Sequence, residues 1–217
     1  MAPRTDRRAG ILDAAIVCFA KHGVGNTTIA EIRAVSGASV GSIYHHFGDK
    51  DGIAGRVYLE VLQRYHDSYL EALDACTSGE AAVKTTVLHY FEWVAAHHDA
   101  ARLLLEARQS PQVAESEKEI RAATRRFLAL VHARLARFVA SAEMRELSPA
   151  VLTALLAAPC AALAAAWVRG PRPKDAAEQS NALAEAVWRA VRAESATGST
   201  TTMEAKRRTA ASRRTRK

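Results

Sequence analysis

Apolar side chains recur at three- and four-residue intervals through most of this 217-residue chain, and no stretch alternates apolar with polar in the rhythm of a strand. Only 11 glycines and 6 prolines punctuate it, while Ala, Leu, Arg and Glu, all strong helix formers, abound. The chain is therefore predicted to be all-α. Helices are expected over 7–22, from 27 or 28 to about 35, over 39–47, and then at roughly 51–75, 80–98, 100–109, 116–141, 149–169 and 175–193. The breaks between them are Gly23, Ser36-Gly37-Ala38, Gly48-Asp49, Thr77-Ser78-Gly79, the His97-His98-Asp99 region, Ser110-Pro111, Leu147-Ser148-Pro149 and Gly170-Pro171-Arg172-Pro173.

The first three helices are the most specific part. Ile11, Ala15 and Phe19 make an apolar stripe with Leu12 and Ile16 beside it. Gly23 suits a left-handed position after the first helix. Thr28 and Glu31 have the spacing of a capping box, and Ile29, Ile32 and Val35 give the second helix an inward edge. Ser39 can cap a short third helix that Ile43 and Phe47 anchor to the core. Two short helices joined by a glycine turn and packed on a third can push the last one into a DNA major groove, where base edges show a distinct donor and acceptor pattern. Val40, Gly41, Ser42, Tyr44, His45 and His46 are left on its other faces. Gly41 permits close backbone approach, Ser42 and Tyr44 offer hydroxyls, the two histidines offer ring N–H groups, and Lys50 adds charge near a helix N-terminus.

The stretch ILDAAIVCFAKHGVGNTTIAEIRAVSGASVGSIYHHFGDKDGIAGRVY resembles the tetracycline-repressor (TetR) family. The resemblance rests on Phe19, Gly23, Thr27-Thr28, Ile32, Gly37, Ser39, Gly41, Ile43, Tyr44, His46-Phe47 and Lys50, and covers roughly residues 7–58. It implies a helix-turn-helix DNA-binding domain at 1–50 and a larger helical domain at 51–194 that dimerises and holds an effector. It implies that Thr28 binds phosphate, that Ala30 and Arg33 lie toward DNA, that Val40, Gly41 and Ser42 face base edges, and that Tyr44, His46 and Lys50 bind backbone phosphates. Thr27, Ser39 and His45 complete the candidate DNA-binding set. Val40 departs from the pattern, since many members carry a polar or basic side chain there. Valine can read only a thymine methyl or DNA shape.

The nearly unbroken apolar run at 151–168 and the amphipathic set Leu183, Val187, Trp188 and Val191 are expected to form a four-helix interface with their copies in a second subunit. Pro159 is expected to kink the first of these helices. The rival reading of that run is a membrane span, against which stand its alanine content and Pro159. Tyr90, Trp93, Leu104, Phe127, Cys160 and Trp167 are candidates for an effector pocket, with plain core packing the alternative for each. Their chemistry predicts a small hydrophobic ligand. The expected partner is a palindromic operator with half-sites one DNA turn, or a multiple of it, apart. The alternative is a DNA-binding regulator without a small-molecule effector, controlled by a protein partner or by abundance.

The net charge of +7 is concentrated at one end. Residues 195–217 hold seven basic side chains against Glu204, a net of +6, which leaves 23 basic and 22 acidic residues in the other 194. That Ser/Thr/Ala-rich tail is predicted to be disordered, and either adds salt-sensitive DNA affinity or serves only to solubilise. Cys18, Cys76 and Cys160 are odd in number and without metal-site spacing, and the polar N-terminus has no apolar signal region, so a cytoplasmic protein is expected. Adjacent histidines such as His45-His46 and His97-His98 point about 100° apart on a helix and do not easily share a ligand sphere. No metal or cofactor is expected. Nor is enzymatic activity, since no phosphate loop, HExxH or GxSxG motif is present.

Overall fold

The computed structural model describes residues 4–48 and 50–194; the tail at 195–217 lies outside the described residues. These form ten α-helices: α1 (Arg4–His22), α2 (Ile29–Ser36), α3 (Val40–Phe47), α4 (Lys50–Asp74), α5 (Gly79–Ala96), α6 (His98–Glu106), α7 (Pro111–Ala114), α8 (Glu117–Ala140), α9 (Pro149–Arg169) and α10 (Ala176–Val191). A 3₁₀ turn, Ala107–Gln109, follows α6. Among the described residues the only β feature is an antiparallel bridge from Met144 to Arg192, which ties the α8–α9 connection to the end of α10. The all-α expectation holds.

Serine caps start many of these helices. Ser78, Ser110 and Ser148 each accept a backbone N–H from the first turn of α5, α7 and α9. Ser110-Pro111, expected only as a separator, opens the short α7. Its proline cannot continue the preceding turn, yet it is pre-set for the first helical position. The expected helix at 100–109 is correspondingly shorter, with α6 ending at Glu106.

One connected core runs from Ile11 in α1 to Val191 in α10. Helix α4 threads it, touching α1, α3, α5, α6, α7 and α8. Val57 and Val61 on α4 are buried, and Tyr58 is buried with its hydroxyl donating to the Leu104 carbonyl of α6 at 3.2 Å. Val35 corrects the expectation for α2. It is 56% exposed, while Ile32 is buried and Ile29 half-buried. Steps of three residues rotate by about 300°, so a row spaced at three drifts away from the core line within two steps.

The apolar helix α9 is buried along one side only. Leu152, Leu156, Cys160, Ala164 and Trp167 are buried along one side, but Val151, Ala154, Ala158 and Ala162 are exposed on the other. It is continuous through Pro159 and is long and apolar enough to cross a membrane by length and composition alone, with a third of its apolar window buried.

A close passage lies between α4 and the start of α8. A Cβ placed on Gly55 would stand 2.8 Å from the Ser116 Cβ, a distance real side chains do not adopt. Gly55→Ala should therefore cost about 1–3 kcal/mol in overpacking, against about 1 kcal/mol gained in helix propensity. A net loss of about 1 kcal/mol is expected in urea denaturation. Adding Ser116→Gly, which removes the opposing side chain and no capping bond, should restore most of it.

Candidate nucleic-acid interface and ligand chamber

The N-terminal helices are joined by turns whose hydrogen bonds are all local. Gly23 (φ 79°) closes α1 by donating to the Phe19 carbonyl at 2.9 Å, and Gly37 (φ 65°) closes α2 by donating to Arg33. Thr28 caps α2 in a complete capping box: its hydroxyl oxygen accepts from Glu31 N at 3.2 Å and its backbone N–H donates to the Glu31 carboxylate at 2.7 Å. The backbone N–H of Thr28 holds the Glu31 carboxyl below the usual carboxylate range, helped by the Thr28 hydroxyl. Ser39 caps α3 by accepting from Ser42 N at 3.2 Å.

Helix α3 buries Ile43 and Phe47 almost completely. The opposite surface carries Val40 (42% exposed), Tyr44 (40% exposed), His45 and Gly41, with Ser42 and His46 half-buried. A Cβ on Gly41 would meet nothing, so the backbone there is open to close approach. Thr28, Ala30 and Arg33 of α2 are exposed. The structure thus leaves Thr28, Ala30, Arg33, Ser39, Val40, Gly41, Tyr44 and His45 accessible, while the Lys50 side chain lies outside the described residues. Thr27 is a correction. It is 7% exposed, and its hydroxyl donates to the Gly23 carbonyl at 2.9 Å and lies 3.1 Å from the Cys18 carbonyl. Its role is to hold the α1–α2 turn. Arg8 braces the unit from behind, its guanidinium 5.7 Å from the Phe47 ring centre and paired with Glu60 of α4.

A second site lies inside the larger helical region. A partly open chamber of about 260 Å³ lies between α4, α5, α8 and α9. Helix α4 contributes Leu62, Tyr65, His66 and Tyr69; α5 contributes Thr86 and Tyr90; α8 contributes Thr124, Phe127, Leu128, Val131 and His132; α9 contributes Thr153, Leu156 and Ala157. The Tyr69 hydroxyl lies 2.8 Å from Thr86 Oγ1, which donates to the Ala82 carbonyl at 2.9 Å. His132 Nε2 lies 3.0 Å from Thr153 Oγ1. His66 stacks flat on Phe127, with ring centres 3.9 Å apart and planes 4° from parallel. Burial pushes the His66 imidazole down to about 4, with Asp67 opposing more weakly. Burial also raises the Tyr65 phenol well above its usual range and the Tyr90 phenol to about 12.

Of the residues proposed from sequence for an effector pocket, Tyr90 and Phe127 line this chamber. Trp93 instead faces a separate groove between α1, α4 and α6. Leu104 is half-buried beside Tyr58. Cys160 is buried with its thiol bonded to the Leu156 carbonyl, and burial raises that thiol to about 12. Trp167 packs on Phe91 at 4.6 Å and donates to the Gln179 side chain. These four do not line the chamber because each turns toward a neighbouring helix rather than the gap between α4 and α8. Sequence reasoning missed Tyr65, His66 and Tyr69. Their spacing of one and four residues on α4 is the signal that places them on one side of a helix.

Two stability measurements check this geometry. Thr27→Val keeps the shape but removes the buried hydroxyl, and should lower the urea midpoint by the equivalent of about 1–2 kcal/mol with an unchanged m value. His66 takes up a proton near 6.5 when unfolded and only near 4 when folded. Its depressed pKa makes stability full above 6.5 and progressively lost as pH falls toward 4, by up to about 3 kcal/mol. His66→Phe should flatten that part of the pH profile; an unchanged profile would mean the imidazole is not held neutral.

Known proteins resemble the chain in its N-terminal segment and in its fold. Residues 11–57, from α1 into α4, match the family model of bacterial regulatory proteins of the tetR family. The chain is 34% identical over 125 residues to the HTH-type transcriptional repressor Rv1474c of Mycobacterium tuberculosis, covering 54% of this chain and 62% of that one. It is 28% identical over 100 residues to the HTH-type transcriptional repressor KstR2 of Rhodococcus jostii, covering 46% and 49%. The chain thus spans about half the length of the curated relatives it matches. Its fold is like that of the transcriptional regulator FadR of Bacillus subtilis, solved in complex with stearoyl-CoA, with a TM-score of 0.73 at 19% identity over 82% of this chain and 96% of that one. The matching part is the helix-turn-helix segment: residues 11–57 carry the sequence pattern of the TetR family of bacterial regulatory proteins.

Proposed function

We propose that this chain is a homodimeric, sequence-specific DNA-binding transcription regulator of the cytoplasm, released from a palindromic operator by a small hydrophobic ligand. The observation that carries the DNA reading is α3. Ile43 and Phe47 fasten it to the core, and Val40, Gly41, Tyr44 and His45 are presented outward on a helix short enough to enter a major groove. On this reading residues 1–50 form the DNA-reading head and 51–194 the body. Thr28 and Tyr44 hold phosphates, with His46 and Lys50 beside them. Val40 meets base edges through apolar contact only.

The dimer reading rests on α9. Its exposed side is Val151, Ala154, Ala158 and Ala162; on the adjoining α10 the expected Val187 and Val191 are buried in the core of the same chain and Leu183 and Trp188 half-buried, which leaves Ala182 and Ala186 exposed. Small apolar residues let helices approach closely, and a second copy would cover this surface without a membrane. Ligand release is supported by the chamber, since a largely apolar cavity between helices favours an effector over control by partner or abundance alone. FadR of Bacillus subtilis, with the same fold, holds stearoyl-CoA. Helix α4 leads from the DNA head to the chamber wall, so a ligand that prefers one tilt of α4 changes the spacing of the two α3 helices. A ligand with equal affinity for both tilts would shift nothing.

The test is fluorescence anisotropy with the intergenic DNA beside this protein's own gene and with a scrambled fragment, at two salt concentrations. Preference for the intergenic fragment should survive high salt and fall at least tenfold in Tyr44→Ala. Equal, salt-labile binding to both would reduce the interaction to phosphate electrostatics. In the same preparation Val151→Arg should halve the mass seen in sedimentation and weaken operator binding. A wild type that sediments as a monomer would refute the dimer.

A further inference from the structure

None of the side chains lining the chamber is Asp, Glu, Lys or Arg. The adjoining groove between α4 and α8, which shares His66 and Phe127 with it, does include Asp67 and Arg126. Charge therefore stops at the stacked His66–Phe127 pair. Inside it the polar groups are hydroxyls and imidazoles. Tyr69, Thr86 and Thr124 already have partners within the protein, and His132 and Thr153 have each other. The Tyr65 and Tyr90 hydroxyls have none among the described residues. Those two rings meet edge to face, centres 5.9 Å apart and planes at 85°. Tyr65 also meets Tyr69 and Phe127, both lining the chamber, at 6.1 and 6.4 Å, so the wall beside these two phenols is aromatic. A buried carboxylate or phosphate would find no cation here and would lose its hydration uncompensated. A neutral oxygen would find two unused phenols.

We propose that the chamber takes an uncharged, flat ring compound bearing a hydroxyl or carbonyl oxygen, that Tyr65 and Tyr90 hydrogen-bond that oxygen, and that ligands placing a negative charge inside are rejected. This rests on the ligand-release reading above and specifies its ligand. Tyr65 and Tyr90 select for the oxygen, while the aromatic walls accept the ring.

Calorimetric titration of the full chain with 2-naphthol, naphthalene, 2-naphthoate and stearoyl-CoA tests it, with operator release measured in parallel. Naphthol is expected to bind at least tenfold more tightly than naphthoate. Tyr65→Phe and Tyr90→Phe should each weaken naphthol about three- to tenfold, as loss of one hydrogen bond predicts, and leave naphthalene unchanged. A merely structural role for the tyrosines would move both compounds together and overturn the assignment. Naphthoate or stearoyl-CoA binding as tightly as naphthol and releasing DNA would overturn this proposal while sustaining ligand release. Failure of all four compounds to bind would overturn both.

Discussion

Helix α4 is a single rod of 25 residues, about 37 Å long at the ordinary helical rise, and two packing problems are solved on it at once. Its first turns bury Ile53, Ala54 and Val57 toward the helix-turn-helix; its later turns place Tyr65, Tyr69 and Leu73 in the body. A helix is stiff along its axis, so neither end can be displaced without moving the other. The ion pairs Arg8–Glu60 and Arg64–Asp13 that join α1 to α4 are partly exposed, and such pairs contribute little. The union rests on buried apolar contact and on the close fit of Gly55 against Ser116, which leaves α4 no freedom to slide toward α8.

That stiffness connects the two sites physically. Tyr65 and Tyr69 form one wall of the chamber, and roughly two to three turns earlier on the same helix Val57 and Tyr58 are sealed into the core behind the helix-turn-helix. The far walls, α8 and α9, are held by different means. Arg134 of α8 makes two bonds to Asp74 at the end of α4, and Arg137 donates to the Cys76 carbonyl beyond it. The distal end of α4 is thus clamped to α8, while its middle lines the chamber.

The chamber also differs in kind from the core around it. Core positions such as Val83, Val87, Leu135 and Ile120 are saturated by neighbours. Around the chamber, polar groups sit in apolar surroundings. His66 is held neutral, and His89 has a buried Nδ1 with no hydrogen-bond partner among the described residues. Such groups destabilise a fold unless something else uses them.

Much of the N-terminal unit was legible in the sequence because its determinants are local. The Thr28–Glu31 box, the Ser39 cap, Gly23, Gly37 and the Ile43–Phe47 pair each act within a few residues, so spacing alone reveals them. The helical layout was legible for the same reason. Thr27 was misread because its burial is decided by how the α1–α2 loop closes over the Cys18 and Gly23 carbonyls, and Val35 because three-residue spacing drifts off the inward line. The chamber could not be read at all from one helix. It is a gap among four helices that brings Tyr65, Tyr90, Phe127 and Thr153 together across nearly ninety residues of chain, and only the packing of α4 against α8 and α9 determines which aromatic residues face it and which fill the core. The sequence by itself determined the helices, their caps and the outward face of α3, since those depend on near neighbours. The tertiary structure decided the cavity, its lack of charge and the uncovered side of α9, since each depends on what a distant segment leaves unfilled.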